Sequence, residues 1–242
     1  MPAITRERPG AGIELIRIDR PEVRNALDTA TTLALVEAFT ELAGDPELRA
    51  VVLSTTSTRA FCAGADITEE LDAEGGVRRM EAYTALYRAL DELPVPVICV
   101  CVGNCVGAGA EMAAGSDLRV AGDNLKLGWA GSRLGVPVGP ARLISLVGLA
   151  RAKELVYTGR VIDGEEALAL GLAHRLTTAA QAEPAALELA GELAAHPAEG
   201  LRRLKTMFRE FDGSAERVSH ENALLLEFER EGGGLPRSEG SS

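Results

Sequence analysis

The segment Gly103-Asn104-Cys105-Val106-Gly107-Ala108-Gly109-Ala110-Glu111 closes an apolar run that begins at Val95, and its reading decides the fold. A buried strand that ends in small residues, with a helix opening at about Ala108, aims free backbone N–H groups and a positive dipole end at any ligand lying over the turn. A second turn of the same character, Phe61-Cys62-Ala63-Gly64-Ala65-Asp66-Ile67, follows the short apolar stretch 50–55. An anion, or a carbonyl oxygen becoming one, suits such turns. Taken singly, small-residue turns also suit tight packing of a helix on a strand. Phosphate loops and dinucleotide folds are disfavoured: no Gly-Lys-Ser/Thr follows either turn, and no Gly-x-Gly-x-x-Gly has its acidic partner.

Outward from these turns, strand and helix patterns alternate. Residues 13–19 read as a strand that leaves into a loop at Arg20-Pro21, and Asp28 is a plausible N-cap for a helix carrying Leu33, Val36, Phe39 and Leu42 and closed by Gly44. Strand, helix, strand in that order suggests a right-handed crossover. Gly75 and Gly76 are expected to break the chain before a helix over 77–93, which Pro94 and Pro96 end ahead of a strand at 97–102. Asp163 and Glu166 have capping-box spacing, and helical apolar spacing marks 185–195, 198–211 and 215–231, with a frayed tail expected over 232–242. We expect a core over residues 1–180 and a helical C-terminal region over 181–242.

Composition sets the class. The 242 residues suffice for one α/β domain with a helical appendage, and 46% hydrophobic with 25% charged residues excludes a disordered chain. A net charge of -11 argues against a nucleic-acid surface, so an anionic ligand needs a local basic contact. No apolar stretch is long enough to span a membrane, and the charged first twelve residues do not read as a signal peptide, which gives a cytoplasmic expectation. Cys62, Cys99, Cys101 and Cys105 lack a second Cys or His cluster at metal-ligand spacing and read as buried small hydrophobes; no metal is expected.

With these landmarks in hand, Arg20-Pro21-Glu22-Val23-Arg24-Asn25-Ala26-Leu27, the turn at 61–67 and the segment 96–117 resemble, in order and spacing, the crotonase (enoyl-CoA hydratase/isomerase) family. A fourth stretch, from Ala152 through Gly159-Arg160 to Gly171-Leu172, is similar to that family's later segment. The resemblance implies an α/β fold, a ββα spiral core with a helical C-terminal trimerisation region, and a homotrimer or dimer of trimers. It implies an acyl-CoA substrate, with coenzyme A entering as part of the thioester and no permanently bound cofactor. It also implies an oxyanion hole built from the backbone N–H groups of Ala65 and Ala108, which would stabilise an enolate. Glu111 matches one catalytic glutamate of the family's hydratases, although an acidic residue in the first turn of a helix also has a purely electrostatic rationale. Arg24 resembles the family's basic contact to the coenzyme A phosphate, with Ala26 beside it. Gly64 and Gly107 precede the two N–H donors. Asp66 and Ile67 are expected on the adenine or pantetheine path, and Trp129 near the acyl pocket.

One position departs from the family. Gly131 stands where hydratases carry their second glutamate, no acidic residue lies between Asn124 and Lys153, and the stretch 132–142 is shorter than the usual glycine-rich segment. Water addition is easiest with one group activating water and another delivering a proton. A lone Glu111 leaves open double-bond isomerisation, decarboxylation to an enolate, or hydration assisted by a bound anion. A non-catalytic scaffold of the same fold is the reading from a different class.

Overall fold

Alternate positions of the central strands feed two separate cores, and this places the turns. The computed structural model describes residues 3–235 and runs β1 (Ile4–Gly10), β2 (Ile13–Ile18), α1 (Thr29–Ala43), β3 (Ala50–Thr55), β4 (Ala60–Cys62), α2 (Ala73–Glu92), β5 (Val97–Cys101), β6 (Asn104–Val106), α3 (Ala108–Gly115), β7 (Leu118–Gly122), β8 (Lys126–Gly128), α4 (Gly131–Leu134), α5 (Pro140–Thr158), α6 (Gly164–Ala169), β9 (Arg175–Thr177), α7 (Ala182–Ala194), α8 (Ala198–Asp212) and α9 (Ser214–Arg230). The expected frayed tail lies, from residue 236 on, outside the described residues.

A six-stranded sheet has the order β1-β2-β3-β5-β7-β9, parallel except for β1, and a three-stranded parallel sheet has the order β4-β6-β8. Successive turns of the chain give one strand to each sheet and then a helix, which is the spiral. On one face of the large sheet Leu15, Val52, Ile98, Val100 and Val120 pack on Ala182, Ala186 and Ala190, a stripe spaced four residues apart along α7. The opposite positions, among them Ile16, Val51, Leu53, Cys99 and Cys101, face the main core with α1, α2 and α3. The inner strands β3 and β5 are covered on both faces, which is why they read as nearly continuous apolar runs.

Small residues fix how the layers meet. A Cβ at Gly103 would stand 2.0 Å from the carbonyl oxygen of Arg59, and one at Gly109 would stand 2.3 Å from that of Cys62, so glycine lets β6 and α3 lie against β4. Buried Arg119 donates to the carbonyls of Leu172, Ala113 and Ser116, capping the C-terminus of α3 and holding its axis.

The structure adds elements the sequence reading did not assign, among them β7, β8, β9 and α5, and it differs in two places that were read. Strand β1 pairs antiparallel with β2 where only a charged N-terminal segment was read, because its exposed Arg6, Glu7 and Arg8 hide an edge strand. Helix α2 begins at Ala73, capped by Asp72, whose side chain accepts from the Gly75 N–H at 2.7 Å. Gly75 and Gly76 thus lie buried inside its first turns; the side chain of Asp72 offsets the helix penalty of glycine there.

Candidate active site

The loop ahead of α1 forms one wall of the site. Arg24 and Asn25 both adopt left-handed backbone, φ 55° and 56°, a conformation that only asparagine and a few other residues tolerate readily. Asn25 is fully buried and holds the strained loop: its Nδ2 donates to Thr55 Oγ1 at 2.6 Å and to the Ala60 carbonyl at 2.9 Å, and its Oδ1 accepts from the Arg20 N–H at 2.8 Å. The Arg24 carbonyl accepts from the Ala63 N–H at 3.1 Å, which ties this loop to the second turn, while the Arg24 side chain is exposed and has no ion pair among the described residues.

Two glycines bring the two small-residue turns together. Gly64 (φ +103°) and Gly107 (φ +55°) face each other so closely that a Cβ on Gly107 would stand 3.6 Å from the Cα of Gly64. Leu27 donates to the Gly64 carbonyl and accepts from the Asp66 N–H, at 2.8 and 2.9 Å, so the amide of the intervening Ala65 points away from Leu27. Ala108 is the first residue of α3, where a helix offers its own N–H groups no acceptor. Among the described residues neither N–H meets an acceptor.

Both alanines line a cavity of about 570 Å³. Its walls include Arg24, Ala26, Gly64, Asp66 and Ile67 on one side and Gly107 and Gly131 on the other. Met80, Tyr83 and Tyr87 of α2 and Leu225 of α9, which the sequence reading did not single out, complete it. The i, i+3, i+7 spacing of Met80, Tyr83 and Tyr87 on one face of α2 was the available signal. Tyr83 donates to the Leu27 carbonyl at 2.8 Å, and its ring lies 6.2 Å from that of Tyr87. Asp66 accepts from Thr68 Oγ1 at 2.6 Å and from Arg20 at 3.1 Å; burial acts to raise its carboxyl, but the hydrogen bonds from Thr68 and Arg20 outweigh it and hold the group below the usual range. Asp66 is thus a brace between the loop and the turn.

Two expected residues sit behind the cavity wall. Glu111 is fully buried and Trp129 is 2% exposed, and neither is among the lining residues. Oε2 of Glu111 accepts from Nη1 of Arg142 at 2.9 Å, and the same nitrogen reaches Oε1 of Glu221 at 3.1 Å. Burial pushes the Glu111 carboxyl up to about 7; the Arg142 charge pulls against this and the Glu221 charge adds to it. The indole N–H of Trp129 also favours the charged form, yet neither Nε1 of Trp129 nor Oε1 of Glu111 reaches a hydrogen-bond partner. What separates Glu111 from the cavity is the short strap between Gly135 (φ +73°) and Gly139 (φ +121°), whose Val136 and Val138 line the cavity. A Cβ on Gly139 would stand 3.4 Å from Oε1 of Glu111.

Among the described residues no cluster of three or more His, Cys, Asp or Glu is arranged to hold a metal ion. The four cysteines are buried and free, with Cys99 and Cys101 on one face of β5. No helix of the described residues is long and apolar enough to cross a membrane. What the geometry offers is an apolar cavity lined by two residues whose amides meet no acceptor among the described residues, with an exposed arginine at its rim and a buried carboxylate nearby.

The chain has relatives. The profile of the Enoyl-CoA hydratase/isomerase family matches residues 8–227. The chain is 34% identical over 197 residues to YngF of Bacillus subtilis, which carries the name enoyl-CoA hydratase/isomerase, covering 79% of this chain and 75% of that one. It is 32% identical to the short-chain-enoyl-CoA hydratase of Clostridium acetobutylicum over 186 residues, 75% of this chain and 71% of that one. Among solved structures, an enoyl-CoA hydratase from Bacillus anthracis superposes with a TM-score of 0.79 at 26% identity, covering 98% of this chain and all of that one. The chain therefore belongs to the enoyl-CoA hydratase/isomerase family and has the crotonase fold.

Proposed function

We propose that the cavity takes an acyl-CoA thioester whose carbonyl oxygen accepts hydrogen bonds from the amides of Ala65 and Ala108, and that the chain catalyses a reaction passing through the thioester enolate. The observation that carries this reading is that Ala65 and Ala108, which follow the closely approaching Gly64 and Gly107, both line the cavity with amide N–H groups that meet no acceptor among the described residues. Enolisation puts negative charge on one oxygen, and donors already in place stabilise it without reorganising. Arg24, exposed at the rim, suits the phosphates of the nucleotide end, with Ala26 and Ile67 beside it. Coenzyme A arrives with the substrate, and no resident cofactor enters the reading.

Glu111 is the acid/base group in this scheme, with a proton affinity placed by burial near neutrality. It meets a bound substrate only when the strap at 135–139 yields. Gly131 supplies no second carboxylate, so one-base chemistry, either a double-bond shift or a decarboxylation that leaves an enolate, is favoured over unassisted hydration. The sealed position of Glu111 equally favours a second reading, a binding scaffold without turnover. Mass spectrometry of products from a panel of enoyl-, dienoyl- and malonyl-type CoA thioesters tests both. Tight binding with no product from any member would overturn the enzyme reading in favour of the scaffold.

The reading includes a homotrimer or dimer of trimers built through the C-terminal helices. Helix α8 supports it by being inverted: Arg202, Lys205 and Arg209 point inward, Lys205 donating to the Val95 carbonyl and to Asp117 at 2.8 and 2.7 Å, while Leu204, Met207, Phe208 and Phe211 face out. Four free buried thiols are in keeping with a cytoplasmic setting.

A further inference from the structure

Three helices converge on Glu111, and their chemistry goes further than one carboxylate. From α5, Arg142 places a single nitrogen, Nη1, between Oε2 of Glu111 and Oε1 of Glu221. From α9, Glu221 uses its other oxygen to accept the Ala141 N–H at 2.8 Å, in the first turn of α5, so it fixes the residue next to Arg142 as well as Arg142 itself. From α2, the ring of Tyr87 lies 4.6 Å under the Arg142 guanidinium, and Tyr87 lines the cavity. Arg142 and Glu221 are both at least nine-tenths buried. The polar atoms left without partners are Oε1 of Glu111, Nη2 of Arg142 and Nε1 of Trp129. A buried ion cluster this incompletely satisfied is costly unless it holds a function.

Building on the enolate reading, we propose that Arg142 and Glu221 are positioning residues for Glu111: Glu221 holds Arg142 so that it clamps Oε2, leaving Oε1 as the oxygen that exchanges a proton with the thioester. Two carboxylates share one cation, and the Glu221 charge beside it favours the protonated form of Glu111. Besides burial, the groups that set this balance are Arg142 from α5, Glu221 from α9 and the Trp129 indole after β8, with the Tyr87 ring from α2 packed on the Arg142 guanidinium. Glu221, far along the chain, thus tunes the catalytic group without touching substrate.

The test uses the full chain and Glu221→Gln, Arg142→Lys and Arg142→Met variants. The Glu111 carboxyl band is identified by isotope-edited infrared difference against Glu111→Gln and titrated, and turnover is measured across pH. Glu221→Gln keeps an acceptor for the Ala141 N–H but removes a negative charge, so the protonation midpoint should fall by about one pH unit. Arg142→Met should raise it by a similar amount and lower kcat by roughly a hundredfold with KM little changed, and Arg142→Lys should restore much of both. A merely structural role would lower stability and leave the pH profile of kcat in place. Midpoints identical in all three variants, or full kcat in Arg142→Met, would overturn the proposal. If no thioester is turned over by the parent, the enzyme reading fails while the infrared titration still decides whether the clamp sets the proton.

Discussion

At position 131 an added Cβ would stand 2.6 Å from the carbonyl oxygen of Val136 and 3.1 Å from Cγ1 of Val138. Gly131 is therefore fixed by packing under the strap and is more than a lost carboxylate. Gly131→Glu should strain the strap and lower stability by about 1–3 kcal/mol; urea denaturation reads this, and a variant as stable as the parent would show that the strap gives way freely. The proposed amide donors make the opposite kind of claim, because the proposal gives their side chains no part in the chemistry. Ala108 is the first helical residue, where proline fits the backbone and removes only the N–H. Ala108→Pro should cost roughly 2.7–4 kcal/mol of transition-state stabilisation, read as kcat, while Ala108→Ser stays close to the parent. Full turnover in a folded Ala108→Pro variant would remove this amide from the site. Arg24→Ala should raise KM for a full CoA thioester and leave a pantetheine analogue unaffected, since a phosphate contact is equal in ground and transition states.

At the scale of elements, the buried carboxyl on α3 makes stability depend on pH with a definite sign. Burial raises Glu111 from an unfolded value of 4.5 to about 7, so between these values the folded chain keeps a proton that the unfolded chain has released. Stability then falls as pH rises through that window, by on the order of 3 kcal/mol when complete. In Glu111→Gln this component is absent, so urea midpoints at about pH 5 and pH 8 should lie closer together than in the parent; an unchanged spacing would mean that Glu111 is charged throughout. The elements that carry the site were legible where a local rule governs them. Asp28, Gly44 and the apolar spacing between them mark α1, and the small residues from Gly103 to Ala110 mark the turn into α3. Edge strand β1 was hidden because Arg6, Glu7 and Arg8 are consecutive and exposed, which breaks the apolar alternation that marks a strand. The ion cluster was hidden for a different reason: Glu111, Arg142 and Glu221 come from three helices, and no periodicity within one segment reports a pairing across 79 residues.

At the scale of the whole molecule, α8 departs from the rule that governs the other helices. An amphipathic helix on a finished surface turns its apolar stripe to the core, but here the cations Arg202, Lys205 and Arg209 make the inward contacts. Phe208 is 71% and Phe211 78% exposed, on the same side as Leu204 and Met207. A chain with net charge -11 gains solubility from its surface at large, so a contiguous apolar face left uncovered is best explained by a second copy of the chain. The inner cations keep α8 on the core whether or not that copy is present: Arg202 donates to the Leu48 carbonyl at 2.9 Å, Lys205 ion-pairs with Asp117, and Arg209 reaches Asp91 at 2.7 Å. Introducing charge on the outer face should therefore separate the copies without unfolding the protomer. For Phe208→Glu with Phe211→Glu, multi-angle light scattering should report the mass of one chain, 25.4 kDa, against a multiple of it for the parent, with circular dichroism unchanged. A parent that is monomeric at micromolar concentration, or a double variant that keeps the parent's mass, would show that the apolar face of α8 does not hold the assembly together.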